Sequence, residues 1–145
     1  MVYTDMTIQA MKVAYAAHEG QTDRSGVPYI FHPVHLAEQM DDELSCTVAL
    51  LHDVVEDTGT TLEMLQKKFP PEVVEAVRLL THDPSVDYFD YVRKLKDNPI
   101  AKKVKLADLA HNSDEVRSRA AHCSEKQILR WREKYSKARE ILNEK

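Results

Sequence analysis

The segment ALLHDVVEDTGTT, residues 49–61, makes two demands that conflict. Val48, Ala49, Leu50 and Leu51 form a strongly apolar run, as expected of a helix entering a core. His52, Asp53, Glu56 and Asp57 follow at once. Glu56 falls one helical turn after His52, and Asp57 one turn after Asp53, so the four cover one sector of a helix end. The C-terminal end of a helix carries negative partial charge, a poor place for three acids. A buried carboxylate also needs a partner. A bound cation meets both demands.

Working outward, residues 43–56 read as one apolar helix ending in this sector. Upstream, residues 4–20 read as a first helix. Thr4 or Asp5 caps it, Ile8, Met11, Ala14, Tyr15 and His18 form its stripe, and Gly20 stops it. The loop GQTDRSGVPYIFHP, residues 20–33, leads to Pro33 in the first turn of a second helix. Downstream, Thr60 and Glu63 form a capping-box pattern, as do Ser124 and Gln127 before a final helix over 125–142. Pro71 opens a helix after Pro70, residues 88–97 form another, and residues 98–119 read as one long helix from Pro99. No repeat, low-complexity tract or linker interrupts the chain. The expectation is one all-α domain over residues 1–145, with about seven or eight helices.

Composition narrows the function. Three glycines are too few for turn-rich β architecture, and 43% hydrophobic residues suffice for a core. A net charge of -4 gives no global basic field, which argues against nucleic acid as a partner. No uncharged apolar stretch approaches the ~20 residues of a membrane span, and the N-terminus does not read as a signal peptide. Cys46 and Cys123 have no Cys-x-x-Cys pattern and read as reduced thiols of a cytoplasmic protein. Oligomeric state stays open.

Other segments supply partners for the cation. His32 precedes Pro33 at a helix start, and Asp108 is an acid set among Leu106, Ala107, Leu109 and Ala110. His32, His52, Asp53 and Asp108 then make a mixed nitrogen and oxygen set, suited to a borderline-hard divalent ion such as manganese or iron. The chain has neither the thiolate pattern of structural zinc nor His-Glu-x-x-His. Glu56 and Asp57 become spare acids beside the metal, suited to general acid/base work on water. Asn112 shares the face of Asp108, whereas His35 reads as a packed or surface histidine. Arg24 is a loop cation available to a ligand. Lys102 and Lys105 read as a solvated face turned from Asp108. Tyr29, Leu129, Trp131 and Tyr135 read as packing residues.

An isolated His, then His-Asp, then a distant Asp resembles the HD superfamily of metal-dependent phosphohydrolases. Residues 17–37 (AHEGQTDRSGVPYIFHPVHLA), 49–65 (ALLHDVVEDTGTTLEML) and 104–112 (VKLADLAHN) resemble, more narrowly, the (p)ppGpp hydrolase domain of RelA/SpoT-type enzymes, in its small stand-alone form. The resemblance runs over about residues 13–117 and implies an all-α HD-domain bundle holding one manganese ion. It implies His32, His52, Asp53 and Asp108 as ligands, Glu56 and Asp57 as the catalytic pair, and Asn112 beside the nucleotide. The implied reaction releases pyrophosphate from the ribose 3′ position of ppGpp or pppGpp. The alternatives are another nucleotide or a nicotinamide cofactor phosphate as substrate, or a non-catalytic nucleotide-binding module. Two departures stand out. Asp23 replaces the arginine of the family's Gln-x-Arg-Lys-Ser-Gly loop, and a carboxylate there is expected to compete for Arg24. ADLAHN replaces ADRLHN, which removes a basic residue beside Asp108.

Overall fold

The computed structural model describes residues 1–144. Among them are ten helical segments: α1 (Asp5–Ala17), α2 (Phe31–Glu38), α3 (Glu43–Leu51), α4 (Val54–Asp57), α5 (Leu62–Gln66), α6 (Pro71–Leu80), α7 (Tyr88–Leu95), α8 (Pro99–Asn112), α9 (Glu115–Ala120) and α10 (Glu125–Asn143). No strand forms among the described residues; Thr22 and Pro28 make an isolated antiparallel bridge. The all-α expectation holds. The helix count rises because two expected helices each break in two.

The centre of the fold is α3. Every residue from Ser45 to Leu51 is buried, and α3 packs against α1, α2, α6 and α8. Each Leu or Val withdrawn from water there contributes about 1.5–3 kcal/mol. The polar side chains on this buried helix find local partners. Ser45 donates to Asp42 Oδ2 at 2.7 Å, and Thr47 donates to the Glu43 carbonyl at 2.8 Å. The last helix, α10, closes the other side by packing on α7 and α8.

The expected helix over 43–56 stops at Leu51. His52 Nδ1 lies 2.7 Å from the Ala49 carbonyl oxygen, so that nitrogen donates. This is the carbonyl a continuous helix would offer to the Asp53 amide. The chain turns at Asp53 (φ -107°, ψ -1°) before α4 begins. The expected helix over 98–119 likewise breaks after Asn112, and Asp114 caps α9 by accepting from the Val116 and Arg117 amides. Thr61, not Thr60, caps α5. On α1, Ile8 and Tyr15 face solvent, while Thr7, Ala10 and Ala14 are buried.

Asp42 fixes the start of α3 by accepting from the Ser45 amide at 2.8 Å. It also receives Lys103 from α8 at 3.0 Å. Asp42→Ala is expected to destabilise the fold by about 1 kcal/mol, the usual worth of an N-cap, as read by urea unfolding. The Ser45 hydrogen bonds and Lys103 lower the Asp42 pKa from 3.8 to about 2. A depressed carboxylate pKa stabilises above the unfolded value and stops doing so as pH falls through the folded one. The gap between parent and variant is therefore expected to close between about pH 4 and pH 2.

Candidate active site

Three helix ends bring four side chains together: His32 from α2, His52 and Asp53 from the α3–α4 break, and Asp108 from α8. His32 Nε2 lies 2.9 Å from Asp108 Oδ1 and 3.9 Å from Asp53 Oδ2. His52 Nε2 lies 2.9 Å from Asp53 Oδ2 and 3.7 Å from Asp108 Oδ1. Donors ~2.1 Å from one ion stand ~3 Å apart at neighbouring octahedral positions, so the spacing fits a shared divalent cation. His32, His52 and Asp53 offer donor atoms all within 4.8 Å of one another.

The chemistry of the donors fits as well. His52 Nδ1 donates to the Ala49 carbonyl, so in the neutral ring Nε2 holds a lone pair. That Nε2 is buried, has no hydrogen-bond partner, and faces two carboxylates. Burial opposes charge on His52, but Asp53 and Asp108 outweigh it and raise its pKa well above the usual value. The position attracts positive charge, whether a proton or a metal ion. Burial likewise resists ionisation of Asp53 and Asp108. His52 reverses it for Asp53, and Lys105 with the two histidines reverses it for Asp108.

Neighbouring residues hold this cluster in place, and several escape a reading of the sequence. Tyr29 donates to Asp53 Oδ2 at 2.5 Å, so it orients a carboxylate besides packing. Burial, then the Asp53 charge, raises its pKa and keeps it protonated. His32 Nδ1 lies 2.7 Å from His111 Nδ1, so one ring must donate to the other. With the proton on His32, its Nε2 lone pair faces Asp53 and Asp108. Desolvation, then Arg117, lowers the His111 pKa to about 4 and keeps that ring neutral. His35 stacks on His111 at 4.1 Å and does not join the cluster. The sequence segment around Asp108 already offers His111 as a candidate, three residues on and on the same helix face; its contact with His32 is what the fold adds.

Lys105 corrects the sequence reading. It is buried and donates to Asp108 Oδ2 at 3.0 Å. Three residues along a helix is a same-face spacing. Lys105 thus supplies the basic neighbour that the ADLAHN segment lacks. Asn112 also reaches Asp108, with Nδ2 3.1 Å from Oδ1.

Glu56 and Asp57 stand beside the cluster. Glu56 accepts from the His82 amide at 2.6 Å, which fixes its carboxylate. Gln21 donates to the Asp57 carbonyl at 2.8 Å, tying α4 to the loop after α1. Both residues are exposed. Desolvation inside the cleft and the charge of Asp53 raise both pKa values above the usual carboxylate range.

Above these residues opens a cleft of about 520 Å³ whose lining includes Arg24, Asn112, Arg117 and Lys134. The Arg24 guanidinium lies 3.8 Å over the Trp131 ring, which gives Trp131 a role beyond helix packing. Asp23 does not compete for Arg24. Its Oδ1 accepts from the Ser25 amide, the Ser25 hydroxyl and the Val27 amide, at 2.8, 2.8 and 3.1 Å. Its Oδ2 receives Arg117 at 3.4 Å. The carboxylate builds its own loop, in which Gly26 takes a φ of 82° that disfavours a side chain.

Known proteins resemble this chain in sequence and in fold. A family model for the HD domain matches residues 10–117. The bifunctional (p)ppGpp synthase/hydrolase SpoT of Escherichia coli (strain K12) is 39% identical over 120 residues, covering 72% of this chain and 17% of SpoT. The chain therefore spans about a sixth of that relative. Guanosine-3′,5′-bis(diphosphate) 3′-pyrophosphohydrolase MESH1 of Danio rerio is 34% identical over 122 residues, covering 75% of this chain and 68% of MESH1. A solved structure of a metazoan ortholog of SpoT that hydrolyzes ppGpp superposes with a TM-score of 0.79 at 25% identity, over 99% of this chain and 88% of that one. The family match takes in α2, the α3–α4 break and α8, which together carry all four clustered side chains. On that match and this geometry, the chain belongs to the HD domain family.

Proposed function

We propose that this chain hydrolyses the 3′-diphosphate of ppGpp and pppGpp, giving GDP or GTP and pyrophosphate, with one manganese ion per chain. The observation that supports it is the four-donor cluster on the floor of the cleft, with Glu56 and Asp57 beside it. The substrate comes from the names of relatives such as MESH1. Manganese suits two imidazoles and two carboxylates with positions left open.

In this reading His32, His52, Asp53 and Asp108 hold the metal. When bound, the metal lowers the pKa of water and neutralises phosphate charge. Glu56, fixed by the His82 amide, takes the proton from the attacking water. Water adds to the phosphorus bearing the ribose 3′ oxygen, and that phosphorus–oxygen bond breaks. Asp57 is the second acid and passes a proton to the departing 3′ oxygen. Arg24, held on Trp131, and Asn112 contact the nucleotide. The same reading treats residues 1–145 as one catalytic domain. The free thiols Cys46 and Cys123 suit a cytoplasmic setting. Among the described residues no helix is long and apolar enough to cross a membrane.

One observation favours a second substrate class. Asp23 shapes the loop at the position where the resembled Gln-x-Arg-Lys-Ser-Gly pattern has arginine, which would give the base a different neighbour. Another nucleotide, or a nicotinamide cofactor phosphate, would keep the chemistry and change the base. A panel of ppGpp, pppGpp, NADPH and simple nucleotides with added manganese decides between them. Pyrophosphate release from ppGpp is the expected result; turnover confined to NADPH would replace the guanosine reading.

A further inference from the structure

Lys134 on α10 lies outside residues 10–117, the span of the family match. It lines the cleft, with its ammonium 4.2 Å from the centre of the Tyr88 ring and 5.9 Å from that of Tyr135. Lys105 reaches the same Tyr88 ring, at 5.6 Å, while bonded to Asp108. Two ammonium groups therefore share one ring, and the inner one touches the metal cluster. The two like charges repel, and Asp108 neutralises only the inner one.

The other cations of this wall are engaged. Lys105 is paired with Asp108 and Arg117 with Asp23. Among the described residues no carboxylate lies within ion-pairing distance of Lys134. Cation–π contact with Tyr88 accounts for where the ammonium rests. It does not explain why a second lysine adjoins the first, since repulsion opposes that placement. Partial desolvation and the charge of Lys105 lower the pKa of Lys134, which a bound anion would reverse.

We infer that Lys134 is a phosphate-binding residue that holds the terminal phosphate of the diphosphate released from the ribose 3′ position. This rests on the reading of the cleft as a pyrophosphate-releasing site. Order along the wall supports that diphosphate over the 5′ one. From the metal cluster outward run Asp108, Lys105, Tyr88 and Lys134. A diphosphate whose inner phosphate met the donor cluster would find Lys134 along this chain of contacts.

The test is calorimetric titration of inorganic pyrophosphate, and separately of GDP, into the manganese-loaded chain. Parent, Lys134→Ala and Lys134→Arg are compared after their melting midpoints are shown to match. Losing a charge-assisted phosphate contact is expected to raise the pyrophosphate dissociation constant about 10- to 100-fold in Lys134→Ala. Lys134→Arg is expected to recover part of it, and GDP affinity to stay constant. Equal pyrophosphate affinity in parent and Lys134→Ala would reduce Lys134 to a packing residue and overturn the inference. So would a loss confined to GDP, which would assign Lys134 to the 5′-diphosphate. If ppGpp is not a substrate yet pyrophosphate binding still depends on Lys134, the anchor stands and the guanosine reading falls.

Discussion

Replacing Asp53 with alanine is expected to remove both the bound metal and the hydrolytic activity. Asp53 Oδ2 is the one carboxylate oxygen within 2.9 Å of His52 Nε2, and it also faces His32 at 3.9 Å. Without it, two imidazoles and a single carboxylate already engaged by Lys105 remain, so the site loses half of its negative charge and much of its hold on a divalent ion. A ligand that binds only the folded chain stabilises it by about 2.7 kcal/mol at 100 times its dissociation constant. Saturating manganese is then expected to raise the parent's melting midpoint by on the order of 5–10 °C. The Asp53→Ala midpoint is expected not to respond. With chelator present, the variant is expected to melt below the parent. The Asp53 pKa lies below its usual value, so attraction to His52 and Tyr29 exceeds the cost of burial together with repulsion from Asp108. One metal ion per chain retained in Asp53→Ala would remove Asp53 from the ligand set.

The site was legible where its chemistry conflicts with its surroundings over a short stretch. His52-Asp53 follows a fully apolar run, and Asp108 interrupts another, so both are conspicuous without any knowledge of the fold. The helical character was legible for the same local reasons: few glycines, and caps such as Thr4 and Ser124 that accept from amides three residues on. Positions where side chains intercept backbone groups were not legible. The α3–α4 break depends on an imidazole reaching the Ala49 carbonyl, and residues 43–56 otherwise keep a helical pattern.

Contacts between distant segments were also beyond the sequence. His111 meets His32 across 79 residues, and Arg117 meets Asp23 across 94. Nothing local in either member announces the other. Lys105 is a different case, because its spacing to Asp108 was sufficient. Three residues on a helix advance about 300°, leaving the two side chains roughly 60° apart on one face. Burial then converts that proximity into an ion pair, since an unpaired ammonium in the core is costly.

Glu56→Gln separates holding the metal from using it. Glu56 lies outside the group formed by His32, His52 and Asp53, though it also neighbours Asp53 and Asp57. Its Oε1 accepts from the His82 amide, and a glutamine side-chain carbonyl can accept the same bond, though less strongly. The substituted side chain therefore keeps its position and loses only its ability to take a proton. Metal content and nucleotide affinity are expected to match the parent. Turnover is expected to fall by about 100- to 10,000-fold, the usual worth of a general acid or base. Desolvation and the charges of Asp53 and Asp57 raise the Glu56 pKa, which makes it a stronger base than an ordinary surface glutamate. Single-turnover kinetics with metal analysis on the same sample read both quantities. Metal lost together with turnover would make Glu56 a ligand, shared with Asp53 and Asp57. Turnover unchanged with weaker nucleotide affinity would make it a binding residue and leave Asp57 as the candidate base.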